Sequence, residues 1–172
     1  SALRADKQEL QQAYNQLIQP TDLNNKKPAS ITAYNQRYQQ FSNELNSTKT
    51  NTDRILKEQN PSVADVNNAL NKVREVQQKL NEARALLENK ENNDELVRAK
   101  NQLQQAVNDQ PLTTGMTQAS INNYEAKRNE AQSAIRNAEV VINNGDATAK
   151  QISDEKSKVE QALAHLNDGK QQ

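Results

Sequence analysis

Apolar residues recur along this chain at steps of three and four, with polar runs between them. The clearest stretch is Ile31, Tyr34, Tyr38, Phe41, Leu45, Thr48, Thr52 and Ile55, the stripe of one amphipathic helix. Its opening, ASITAYNQRYQQF from Ala29, is echoed by ASINNYEAKRNEA from Ala119, which carries Ile121, Tyr124, Arg128, Ala131, Ile135, Ala138 and Ile142 at the same steps. The flanks repeat as well. Upstream, Leu3, Leu10, Ala13, Tyr14 and Leu17 answer Leu96, Leu103, Ala106, Val107 and Gln110. Downstream, Val63, Val66, Val73, Val76 and Leu80 answer Ala149, Ile152, Val159, Ala162 and Leu166. The pattern predicts three helices used twice: an all-α chain of two tandem antiparallel three-helix bundles, residues 1–88 and 89–172.

Local signals mark the ends of these helices. Pro20 and Pro111 stop the first helix of each unit, Pro28 suits the first position of the middle helix, and Thr117 is its N-cap in the second unit. Asn60-Pro61 is expected to open the third helix of unit 1, and Asp146 that of unit 2. Between the units, residues 62–110 contain neither proline nor glycine, so the third helix of unit 1 is expected to run on as the first helix of unit 2. The alternative is a break at Asn92-Asn93. From Leu87 to Leu96, at about 100° per residue, the stripe rotates by roughly half a turn, so a continuous helix would present its second bundle on the opposite side. An odd number of passes brings the chain in at one end and out at the other. Copies would then join in line as a rod, each unit spanning roughly 35 to 45 Å and two in series roughly 80 to 90 Å. The 3-4 spacing implies left-handed, slightly crossed packing, and small bundles with thin cores have modest stability.

Composition tests this reading, since only 33% of residues are hydrophobic and 3% aromatic, and the mean hydropathy is -1.09. Such values suit a disordered chain, but the regular period argues for order. The abundant Asn and Gln are scattered through periodic segments and read as solvated helix faces. Basic and acidic residues balance at 22 each, with no basic cluster, which argues against nucleic acid or an acidic membrane surface as partner. No apolar run has the length of a membrane span, and the start, SALRADKQEL, does not read as a signal peptide. The segment is expected to be soluble and monomeric, and either cytosolic or an interior piece of a longer exported chain. The lack of cysteine excludes a disulfide scaffold or a thiolate metal site.

Candidate chemistry is sparse. His165 is the only histidine, too few for a triad in each unit or an imidazole metal cluster, and reads as a flank residue. Carboxylate runs such as NKENNDE read as solvated surface, and the three glycines, Gly115, Gly145 and Gly169, as turn and stop residues rather than a phosphate loop. Tyr34 and Tyr124 are a matched aromatic pair; a binding platform is conceivable, but the stripe position favours packing near the bundle end with the hydroxyl at the rim. The NST at Asn46 has the form of a glycosylation acceptor without other signs of that route. No enzyme, cofactor or metal is expected, and no ligand-binding residue is assigned.

The segments NPSVADVNNALNKV and GDATAKQISDEKSKV, with KPASITAY and TQASINNY opening the middle helices, resemble the FIVAR- and GA-type repeats of giant staphylococcal cell-wall proteins over essentially the whole chain. The resemblance implies a non-enzymatic module repeated many times in a long exported, cell-wall-attached protein, associated with fibronectin binding and biofilm growth. Two further readings remain beside it: a spacer repeat that binds nothing itself, and albumin binding by one bundle. The chain departs from an even repeat where Lys156 stands for Leu70 and Arg128 for Tyr38.

Overall fold

The three-and-four spacing becomes helix through most of residues 6–171, the part of the chain that the structure, a computed structural model, describes. Leu3 of the first stripe lies outside the described residues. The chain divides into two units, the first reaching Asn89 and the second beginning at Lys90. Unit 1 contains α1 (Gln8–Leu17), α2 (Pro28–Gln39), α3 (Ser42–Lys57) and α4 (Val63–Arg84). Unit 2 contains α5 (Asp94–Asn108), α6 (Gln118–Asn143) and α7 (Ala149–Lys170).

In unit 1, ion-paired Glu9 and Arg74 near the start of α1, and Arg84 donating to the Gln19 carbonyl at its end, hold α1 and α4 parallel. Lys7 Nζ reaches the Leu56 and Glu58 carbonyls and Tyr14 Oη the Lys49 carbonyl, so α3 runs antiparallel to α1. The core takes Leu10, Tyr14 and Leu17 from α1, Leu45 and Ile55 from α3, and Val66, Val73, Val76 and Leu80 from α4. Unit 2 repeats the plan. Lys156 pairs with Glu95, and Lys170 Nζ donates to the Ala106 carbonyl, which sets α5 and α7 parallel. Lys100 with Glu139 and His165 with Glu130 set α6 antiparallel to both. Leu96, Leu103, Val107, Ile135, Val159 and Leu166 fill its core. Each fully buried aliphatic side chain contributes about 1.5–3 kcal/mol.

The stripes fail at their margins: Val63 is 43% exposed, and Ala149 and Gln110 face solvent. Arg128 is half-buried with its Nε enclosed, and Lys156 is half-buried between Glu95 and Glu160. Glu155, where unit 1 has Ala69, is buried at the edge of the unit 2 core.

Several boundaries correct the sequence reading. The middle helix of unit 1 is two helices. At Gln40 and Phe41 the backbone tightens to i−3 hydrogen bonds, and Phe41 leaves the helical region at φ −127°, ψ 8°. Its ring is buried, 5.5 Å from Tyr38, which is 6.0 Å from Tyr34. Unit 2 has Ala131 and Gln132 where unit 1 has Phe41 and Ser42, better helix formers with no large ring to seat, and α6 is continuous.

The helix expected to run from one unit into the next does not form, and the break is wider than Asn92-Asn93: α4 ends at Arg84 and α5 begins at Asp94. Leu86 and Leu87 tighten to i−3 bonds, and Leu87 turns onto the unit 1 core. The segment then pairs antiparallel with the α1–α2 loop. The Lys27 N–H donates to the Glu88 carbonyl at 2.8 Å, and Lys26 Nζ donates to Asn89 Oδ1 at 2.6 Å. At the far end, Asn92 Oδ1 accepts the Asp94 N–H, a local turn that competes with helix. These tertiary bonds, with the phase jump between Leu87 and Leu96, outweigh the helix propensity of the segment.

The third helices start later than Asn60-Pro61 and Asp146 suggest. Ser62 Oγ accepts the Asp65 N–H, and Thr148 forms a capping box with Gln151. Pro28 and Thr117 hold the places expected of them. Gly169 does not stop a helix; it lies within α7, buried, where an added Cβ would stand 3.4 Å from the Tyr124 Cα.

Candidate interaction surface

Pro20 ends the first pass of unit 1, and the loop after it must return to Pro28. Asp22 Oδ1 accepts the Asn24 N–H, and Asn25 takes the left-handed conformation at φ 55°, which asparagine tolerates. The loop thus folds over the end of the bundle and is tied down by one polar chain. Tyr34 Oη lies 2.7 Å from Thr21 Oγ1, which accepts from Arg84 Nε at 2.9 Å, while Arg84 Nη2 donates to the Gln19 carbonyl at 2.9 Å. Tyr34 is only 6% exposed, so this chain satisfies a nearly buried hydroxyl.

A groove of about 410 Å³ is left between this loop, α2, α3 and the end of α4. Ile18 and Leu23 on the loop are 44% and 39% exposed; Tyr34, Tyr38 and Leu45 supply its apolar wall. Lys49 and Arg84 line it, and among the described residues no carboxylate does. Lys49 is half-buried, and among the described residues no acidic side chain ion-pairs with it.

Unit 2 does not repeat this surface. Gln110, Leu112, Arg128 and Glu139 stand where unit 1 has Leu17, Thr21, Tyr38 and Lys49. Glu139 faces Lys100 at 3.9 Å, and Leu112 is 88% exposed. Tyr124, aligned with Tyr34, is 6% exposed, but its hydroxyl is enclosed with no hydrogen-bonding group among the described residues. The hydroxyl expected at the rim is therefore at the rim in unit 1 only.

The other candidates are structural. His165 Nδ1 sits 2.9 and 3.1 Å from the two Glu130 carboxylate oxygens, joining α7 to α6. No three His, Cys, Asp or Glu side chains among the described residues gather to hold a metal. Glu44 is clasped by Lys72 at 2.6 Å and Lys79 at 2.7 Å, and these hydrogen bonds hold its carboxyl below the usual carboxylate range. Burial, then the nearby Asp53, pushes the Tyr14 phenol up to about 12. No helix among the described residues is long and apolar enough to cross a membrane. Lys49, Thr21 and Arg84 carried no signal in the stripe pattern and were missed; the contrast of Lys49 with Glu139 at the same place in unit 2 is the one sequence feature that could have found Lys49.

The chain is similar to known proteins over nearly its whole length. It is 47% identical over 167 residues to extracellular matrix-binding protein EbhB of Staphylococcus aureus strain N315, covering 97% of this chain and 4% of that protein. It is also 47% identical to extracellular matrix-binding protein ebh of S. aureus strain NCTC 8325 / PS 47, covering 97% of this chain and 2% of that one. The chain thus spans only a few per cent of the length of these relatives. A solved structure from the characterization of extracellular matrix binding protein (Embp)-mediated Staphylococcus epidermidis adherence to fibronectin matches with a TM-score of 0.56 and 39% identity, over 98% of this chain and all of the other. The FIVAR domain matches residues 6–81, in unit 1, and again 99–167, in unit 2, and with these two matches the chain belongs to the FIVAR domain family.

Proposed function

We propose that this chain is a non-enzymatic module of a bacterial cell-surface adhesin, each copy binding a host extracellular-matrix protein weakly and many copies together binding it firmly. Fibronectin is the matrix protein to test first. The observation that carries this reading is 47% identity across 97% of the chain to proteins named for extracellular matrix binding, together with the solved relative studied in adherence to fibronectin. Their length, of which this chain is 2–4%, supports the multivalent part. We place the module outside the cell, on the wall, for the same reason, with residues 1–88 and 89–172 as its two domains. A spacing role is favoured for unit 2, where Arg128 and the Glu139–Lys100 pair replace the apolar groove of unit 1.

The test is binding of fibronectin to the fragment as a sparse and as a dense surface array, with albumin as comparison. Selective fibronectin binding that strengthens steeply with density is the expected result. Equal or no retention of either protein at high density would remove the adhesin reading and leave a spacer.

A further inference from the structure

We propose that the groove at the loop end of unit 1 is the docking surface of this module, and that its occupant is a segment of the matrix protein presenting an apolar side chain next to a carboxylate. The inference rests on the adhesin reading for the source of the segment; the chemistry of the segment comes from the groove.

Ile18 and Leu23 are two of the few large apolar side chains left exposed among the described residues, and they stand together on one short loop. Tyr38 of α2, half-buried, and Leu45 of α3 face them across the groove lining, so a ligand side chain entering the groove meets apolar surface on several sides. Apolar burial supplies the anchor but does not choose among apolar ligands. Charge does. The chain as a whole is balanced, 22 basic against 22 acidic residues, yet this groove is lined by Lys49 and Arg84 and, among the described residues, by no carboxylate. Asp22 and Asp53, close to it in sequence, are not among its lining residues.

Arg84 is already held by Thr21 and the Gln19 carbonyl, which fixes its guanidinium at the groove edge. Lys49 is different: it is half-buried, beside apolar walls, and without an ion-pair partner among the described residues. A lysine whose stem lies along apolar walls holds its ammonium at the groove edge, where an incoming carboxylate can form a charge-assisted hydrogen bond with it. The Tyr34–Thr21–Arg84 chain keeps the walls in place before the ligand arrives, which lowers the ordering cost of binding. Two cations in a neutral chain are too few for a nucleic-acid backbone, so a protein segment is the fitting occupant. In unit 2 the corresponding cation is an acid, Glu139, and the corresponding ring is Arg128, so the surface belongs to unit 1 alone.

The experiment uses the whole 172-residue chain on dense arrays with soluble fibronectin as probe. Lys49→Glu, Lys49→Gln and Ile18→Asp alter the groove at exposed or half-buried positions, and Val140→Asp, at a 70% exposed position of unit 2, is the reference. Circular dichroism checks that each variant is folded. Lys49→Glu and Ile18→Asp should each weaken apparent affinity by about tenfold or more, Lys49→Gln by less, and Val140→Asp not at all. If the parent binds and the groove variants bind as well, the docking site is overturned and the adhesin reading stands. If the parent itself does not bind, the adhesin reading falls and the inference falls with it. Concentration-dependent self-association in sedimentation, abolished by the groove variants but not by Val140→Asp, would make a second copy the occupant and overturn the matrix segment.

Discussion

Tyr34 and Tyr124 hold the same place in the two units and are equally buried at 6% exposure, yet removing their hydroxyls should have different effects. Tyr34→Phe deletes the 2.7 Å bond to Thr21, while the Thr21 hydroxyl keeps Arg84 Nε at 2.9 Å, so no buried partner is orphaned. The loss is then that of one neutral hydrogen bond, about 1 kcal/mol. The Tyr124 hydroxyl is enclosed without a hydrogen-bonding group among the described residues, and such burial costs about 1–3 kcal/mol. Tyr124→Phe removes that cost and should make unit 2 more stable, by about 1 kcal/mol or more. The chain has two units, so a single unfolding midpoint would mix them. Native-state amide exchange separates them: slow amides around Val73 report unit 1, and those around Leu103 report unit 2. The expected result is a fall confined to unit 1 for Tyr34→Phe and a rise in unit 2 for Tyr124→Phe. Equal losses of about 1 kcal/mol in both units would refute the assignment of different environments to the two hydroxyls.

Three further outcomes are expected. Leu103→Ala empties a fully buried position on α5 and should cost unit 2 about 2–5 kcal/mol, read from native-state exchange of the slow unit 2 amides. Thr148→Ala removes the capping box of α7 and should cost about 1 kcal/mol, and Ser62→Ala on α4 a similar amount; both are checked in the same assay. The Glu44 carboxyl is held below its ordinary value of 4.5, chiefly by Lys72 and then Lys79, so it favours the folded state above that pH and loses this as pH falls through the lowered value. The Tyr14 phenol is raised from 10.0 to about 12, so its contribution is complete below 10.0 and lost as pH climbs toward 12. Urea midpoints of unit 1, followed by NMR signals of its core residues such as Val73, should therefore fall on both the acid and alkaline sides, with Glu44→Gln flattening the acid side and Tyr14→Phe the alkaline side.

The faces of the helices were legible from the apolar period. Tyr34, Phe41, Leu45, Thr48, Thr52 and Ile55 are buried because a helix places every third or fourth residue on one side, and that side is the only one with apolar area to lose. Even Thr52, fully buried with its hydroxyl unpartnered among the described residues, follows the stripe rather than its own polarity. Loop positions at Pro20 and Pro111 were legible for an equally local reason, the missing N–H and fixed φ of proline.

Helix continuity was not legible in the same way. The stripe through Tyr38, Phe41 and Leu45 keeps its phase across the α2–α3 break, so periodicity counts it as helix, while in residues 85–93 the absence of proline and glycine favoured helix and only the phase jump to Leu96 and Asn92-Asn93 pointed to a break. What ends the helices there is contact with distant parts of the chain: the Phe41 ring entering the core, and the Glu88 carbonyl accepting from Lys27. The groove belongs to the same class. Ile18, Lys49 and Arg84 come from three different helix ends or faces, and no spacing rule joins them.

The sequence by itself determined the helical class, the two-fold repetition and which face of each helix is buried, because these depend on the geometry of neighbouring residues along one helix. Only the tertiary structure decided where the helices stop, which of two aligned tyrosines has a partner, and that one unit carries a basic, apolar groove. Those outcomes depend on which residues the bundle brings together from far apart in the chain, and a period of three and four holds no information about that.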